Sequence, residues 1–151
     1  MYDARDVDTI ASAMIELTGF LNSPRQDEVL LRKAGVALDR ALFPVLVRLH
    51  AGGTMGVAQL AEHVGRDPST ISRQLAKLEQ MGLVDRPVSE NDMRVRAARV
   101  TIAGARTIEA ISKARREVLG ELIQGWSIAE RRLFPELLQR LAASLKKLQQ
   151  G

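Results

Sequence analysis

With 151 residues, 46% of them apolar, the chain can bury one ordinary hydrophobic core and is too well supplied with apolar side chains for a disordered polymer. It contains no cysteine, which excludes disulfides, thiolate metal sites, thiol nucleophiles and cysteine-based redox sensing together. The net charge of +4 is compatible with nucleic acid but does not demand it, because the excess falls in residues 104–151, where 9 Lys/Arg stand against 5 Asp/Glu. Placement, not net charge, has to carry any argument for nucleic acid.

Val7, Ile10, Met14, Leu17 and Leu21 recur at alternating steps of 3 and 4, which predicts a first helix ending near Asn22-Ser23-Pro24. Leu38, Leu42, Val45, Leu46 and Leu49 form a second apolar face that stops at Gly52-Gly53. Pro44 inside it implies a kink or a late helix start. Val57, Leu60, Ala61 and Val64 mark a short amphipathic helix closed by Gly65. Asp67-Pro68 then reads as an N-cap followed by proline at the first helical position, where its missing N–H costs nothing. In the helix that follows, Ile71, Leu75 and Leu78 turn inward. Ser69, Arg73, Ala76, Lys77 and Gln80 turn the other way, with Thr70, Ser72 and Gln74 on the flanks.

After Gly82, "LVDRPV" is predicted as a strand, "SENDM" as a turn and "RVRAARVT" as a second strand, a β-hairpin with Pro87 at an edge. From Thr101, as N-cap, a long helix is expected to run to about Gly125, marked by Ile108, Ile111, Val118, Leu122 and Ile123. Ser127 with Glu130 forms a capping box for a last helix, whose stripe is Phe134, Leu138, Leu141, Leu145 and Leu148. The longest apolar stretch, "ALFPVLV", is far too short to span a bilayer, and a cytoplasmic protein without membrane contact is the expectation.

Two short helices joined by Gly65-Arg66-Asp67-Pro68 and followed by an arginine-bearing hairpin have the order of a winged helix-turn-helix. This accounts for the polar opening of "STISRQLAKLEQ". Small hydroxyl residues in the first turn of a recognition helix let the backbone approach DNA and donate to phosphates. They also leave free N–H groups and the positive dipole end facing the phosphodiester chain. Arg73, Gln74 and Lys77 have the length to reach base edges or phosphates in the major groove. In the hairpin, Asp92 can hold the guanidinium of Arg94, and Arg96 and Arg99 continue the positive charge. An arginine at a hairpin tip suits the negative potential of a narrow minor groove. The bland alternatives are a solvated helix face and an ordinary Asp–Arg surface turn.

Residues 38–104 resemble the MarR family of bacterial transcription regulators. The marks are "LAEHVGRDPSTISRQLAKLEQMGLVDR", the wing motif D-x-R as Asp92-Met93-Arg94, and T-x-x-G as Thr101 to Gly104. Val95, Val100 and Ile102-Ala103 depart from the residues frequent at their places. The resemblance implies a mainly α fold with a small β-hairpin wing (α+β), a winged helix-turn-helix with N- and C-terminal dimerisation helices. It implies major-groove reading by Ser69, Thr70, Ser72, Arg73, Gln74 and Lys77, and a minor-groove role for Arg94; Asp92 and Arg96 join these DNA-binding candidates from the reading of the hairpin itself. Within a single unit over 1–151, it places the DNA-binding lobe at 38–104 and the dimerisation helices at 4–22 and 105–149. The apolar stripes point the same way, since Val7, Ile10, Met14, Leu17, Leu138, Leu141, Leu145 and Leu148 exceed what one small core can cover.

The expected function is therefore a homodimeric DNA-binding regulator, a repressor of a pseudo-palindromic operator. A small apolar effector of unassigned identity is a possible partner. The alternative is a winged-helix protein-interaction module without DNA binding. His50 and His63 have no thiol partner, and no metal or cofactor is expected. There is no G-x-S-x-G elbow, and Gly52-Gly53 and Gly56 lack the spacing and lysine of a phosphate loop, so no enzyme is expected.

Overall fold

The computed structural model describes residues 1–88 and 96–151. Among the described residues, seven helices and two short strands follow in chain order: α1 (Ala4–Leu21), α2 (Pro24–Ala34), α3 (Phe43–Gly52), α4 (Val57–Val64), α5 (Pro68–Gln80), β1 (Val84–Asp85), β2 (Arg99–Val100), α6 (Ile102–Leu122) and α7 (Ile128–Gln150). The chain divides into two compact units, Met1–Ala114 and Arg115–Gly151.

In the first unit α3, α4 and α5 pack on one another. Val45, Leu46, Leu49, Leu60, Ile71, Leu75 and Leu78 are sealed between them, and Val84, Ala98 and Ile111 close the same core. Each buried Leu or Ile contributes roughly 1.5–3 kcal/mol through removal of apolar surface from water. Pro44 produces a late start, since α3 begins at Phe43. Leu38 and Leu42 therefore reach the core from the turn before it. Helix α2 is an element that the apolar spacing did not announce. It starts after Ser23 with Pro24 in its first turn, ends at Gly35, and buries Leu31 fully.

The sheet is antiparallel, with Val84 opposite Val100 and Asp85 opposite Arg99. Single bridges join Val88 to Arg96 and Met55 to Ala98. Among the described residues the ladder is interrupted at Pro87, which has no N–H to donate; its carbonyl accepts from Ala97 N at 3.1 Å, and the predicted turn "SENDM" lies outside the described residues. Thr101 secures the start of α6. Its hydroxyl donates to Gly82 O at 2.7 Å and accepts from Gly104 N at 3.1 Å, the N-cap bond expected of it. A Cβ on Gly104 would lie 2.2 Å from Leu83 O, so the T-x-x-G pair encodes a close approach of α6 to the strand.

In the second unit Ser127 caps α7 by accepting from Glu130 N at 3.1 Å. Trp126 meets Phe134 edge-on with ring centroids 5.1 Å apart. No helix among the described residues is long and apolar enough to cross a membrane.

Candidate nucleic-acid interface

The turn between α4 and α5 is built from residues with separate backbone duties. Gly65 takes φ 77°, a left-handed conformation that ends α4 without strain. Asp67 is extended and caps α5, and Pro68 occupies the first helical position. Behind them Ile71, Leu75 and Leu78 bury at the spacing of one helix face, which fixes the rotation of α5 about its axis. Ser69, Ser72, Arg73, Ala76, Lys77 and Gln80 are consequently exposed, while Thr70 and Gln74 are half-buried on the flanks.

The first turn of α5 differs from the expectation in one respect. Asp67 Oδ1 accepts from Ser69 N at 3.0 Å and Thr70 N at 3.2 Å, and the carboxylate also takes both hydroxyl protons, from Ser69 and Thr70. Ile71 N donates to Asp67 O at 3.2 Å, and Pro68 has no N–H. The helix start therefore offers no free N–H to a phosphate, because a carboxylate from the chain itself already fills the anion position. Those hydroxyl and backbone donors hold the Asp67 carboxyl well below the usual range. The cationic part of the face is carried by Arg73 and Lys77. Arg73 Nη2 lies 3.3 Å from Thr70 Oγ1, a bond that lays its guanidinium along the first turn.

In the wing, Arg86 Nε donates to Ala97 O and its Nη2 to Arg96 O, both at 3.1 Å, and Arg96 Nη2 returns a bond to Arg86 O at 3.1 Å. These carbonyl contacts fix both arginines without cancelling their charge. Arg99 is different. It grips Asp85 with two bonds of 2.8 and 3.1 Å, and that hydrogen bonding, followed by the charge of Asp85, raises its pKa. Arg99 is thus removed from the run of free positive charge that the strand pattern promised. Asp92 and Arg94 lie outside the described residues.

A helix-turn-helix with an exposed Ser/Arg/Lys face, followed by a strand pair braced by arginines, is the arrangement of a winged DNA-binding lobe. The MarR family model matches residues 38–95, which include this turn and helix. The HTH-type transcriptional regulator YxaD of Bacillus subtilis (strain 168) is 36% identical over 104 residues, 69% of this chain and 73% of the relative. The chain belongs to the MarR family. The HTH-type transcriptional repressor IacR of Pseudomonas putida is a further relative, 28% identical over 80% of this chain and 71% of its own length. Among solved structures, a MarR family protein from Bacillus stearothermophilus superposes with a TM-score of 0.84 over 97% of this chain and 99% of its own, at 22% identity. A crystal structure of MarR is 27% identical and gives a TM-score of 0.71 over 89% and 98%. As a MarR family member the chain is a DNA-binding transcription regulator.

Sequence reasoning missed two members of this surface, Arg66 and Arg86. Arg66 Nη1 donates to Gln74 Oε1 at 2.9 Å and, across 25 residues, to Ala41 O at 2.7 Å, a partnership that no local pattern encodes. His50 and His63 are exposed, and the described residues contain no cluster of three or more His, Cys, Asp or Glu able to hold a metal. Of the residues expected at a dimer seam, all but the half-buried Leu141 are exposed in the single chain. No residue of α1 or of α7 is buried, and Ile10 and Leu148 keep 52% and 77% of their surface.

Proposed function

We propose that the chain acts as a homodimeric repressor that reads a pseudo-palindromic operator through its lobe at residues 38–104. In this reading Ser69, Thr70, Ser72, Arg73, Gln74 and Lys77 face the major groove. Arg94 enters the minor groove, Asp92 orients it, and Arg96 supports the wing. The observation that carries the reading is the face of α5: exposed Ser72, Arg73 and Lys77 opposite Ile71, Leu75 and Leu78, which are sealed in the core. Because the helix start is already capped by Asp67, phosphate contact falls to side chains and not to the N-terminal N–H groups.

The helices at 4–22 and 105–149 supply dimerisation, supported by the open apolar stripes of α1 and α7. Repression is supported by the relative IacR, a transcriptional repressor. Release by a small effector belongs to the same reading. The C-terminal end of α2 carries an open surface recess lined by Leu31, Val36 and Leu38 beside the charged Glu28, Arg32 and Arg40, and no ligand residues are assigned.

Selection of bound sequences from random duplexes tests the proposal, with a gel-shift of the recovered site. A two-fold-related site bound by the wild type and weakened by Arg73→Ala is the expected result. Absence of any selected duplex would leave the protein-interaction reading in its place.

A further inference from the structure

Arg66 sits in the turn before the recognition helix and touches that helix at one side chain. Its Nη1 donates to Gln74 Oε1 at 2.9 Å and, at 2.7 Å, to Ala41 O. The anchor at Ala41 is itself held, since Ala41 N donates to Asp39 Oδ1 at 2.8 Å and Leu42 N to Asp39 O at 2.9 Å. A guanidinium carries only donors, so the atom of the Gln74 amide that faces Arg66 must be the oxygen. Gln74 is half-buried on the flank of α5, and its NH₂ is the group left to meet a ligand.

A glutamine with both amide atoms available pairs with adenine, donating to N7 and accepting from N6. A glutamine whose oxygen is turned toward Arg66 presents its NH₂ on the other side, and guanine offers two acceptors for it, O6 and N7. Resting on the reading of α5 as the helix that meets the major groove, we propose that Arg66 is a specificity-determining positioning residue. By holding the Gln74 oxygen to its own side, it leaves the NH₂ as the group that meets the base, a donor suited to guanine. Arg66 itself touches no base in this arrangement. It selects the base through Gln74 and ties that selection to the turn ahead of α3.

The test is selection from random duplexes followed by gel-shifts on single-base variants, with wild type, Gln74→Ala, Arg66→Met and Gln74→Glu. The quantity read is the ratio of affinities for guanine and adenine duplexes at one position per half-site. This ratio does not move when a variant merely loses folded protein. Wild type is expected to prefer guanine there by about tenfold. Gln74→Ala should flatten the ratio. Arg66→Met releases the oxygen and should shift the preference to adenine. Gln74→Glu keeps the partner of Arg66 while offering the base only an acceptor, so cytosine should replace guanine. Retention of guanine by Arg66→Met, or a Gln74→Ala profile identical to wild type, overturns the inference. Should Arg66→Met fail to fold, guanine retained by Gln74→Glu overturns it equally. A wild type that selects no duplex at all overturns instead the DNA-reading assignment on which the inference stands.

Discussion

Gly104 holds the start of α6 against the strand pair. A methyl group there would lie 2.2 Å from the carbonyl oxygen of Leu83, and backbone cannot yield as a side-chain tip can. Gly104→Ala should destabilise the fold by about 1–3 kcal/mol, read as a lowered midpoint of urea unfolding. An unchanged midpoint would mean that α6 does not approach the strand this closely. Asp67 has a different signature, because its carboxyl is depressed by the hydroxyls of Ser69 and Thr70 and the N–H of Thr70. A depressed carboxylate stabilises the folded state above its unfolded value, about 4, and loses that contribution as pH falls toward the folded value below it. Against Asp67→Asn, which keeps a competent cap, the wild type should be more stable at neutral pH. The difference should shrink steadily below about pH 4. A gap independent of pH would remove the carboxylate from the account. The caps at Asp67, Thr101 and Ser127 were readable in the sequence because capping is local, set by a side chain and an N–H two or three residues away. The partnership of Arg66 with Ala41 was not, because it exists only once the chain has folded.

The same distinction between local and non-local causes runs through the elements. Helices α1, α4, α5 and α7 announce themselves by apolar spacing and by terminal residues. Helix α2 does not, since Val29, Leu30 and Leu31 are adjacent instead of spaced at a helical period, and only Leu31 is fully buried. The strands were legible in place but not in length, with Pro87 breaking the ladder. Met55 joined Ala98 with no alternating pattern to mark it. If α5 and the wing meet DNA as proposed, variants on the two elements should fail differently. Arg73→Ala, on the exposed face of α5, should cost about 1–3 kcal/mol, mainly on the preferred sequence, if the side chain meets a base. Arg94→Ala should weaken operator and scrambled duplex alike and flatten the salt dependence by roughly one unit of slope. Arg99→Ala should leave that slope unchanged, because Asp85 already neutralises it. Affinity against salt for the three variants separates the roles. A slope altered by Arg99→Ala would show that the pair opens on DNA.

At the scale of the whole molecule the strongest constraint is the apolar surface that one chain leaves in water. In α1, Val7, Ile10 and Leu17 retain 44%, 52% and 47% of their surface. In α7, Leu138 and Leu145 retain 43% and 42%, with Leu141 half-buried between them. Seven-residue spacing between Leu138 and Leu145 and between Leu141 and Leu148 keeps these side chains on one seam, the pattern by which helices of separate chains bury each other. Aspartate at both Leu141 and Leu145 would put two charges into that seam, an uncompensated burial costing about 3 kcal/mol or more in the dimer. Each carboxylate would be solvated in a separated chain, so the helices themselves should persist. Sedimentation is therefore expected to give a wild-type dimer and a monomeric Leu141→Asp/Leu145→Asp protein at micromolar concentration, with little change in helical circular dichroism. A monomeric wild type under those conditions would rule out this seam. Loss of the dimer has a further consequence if two recognition helices act on one operator. Each protein then makes only its own half of the phosphate contacts, and the dependence of log affinity on log salt should fall to about half its wild-type slope.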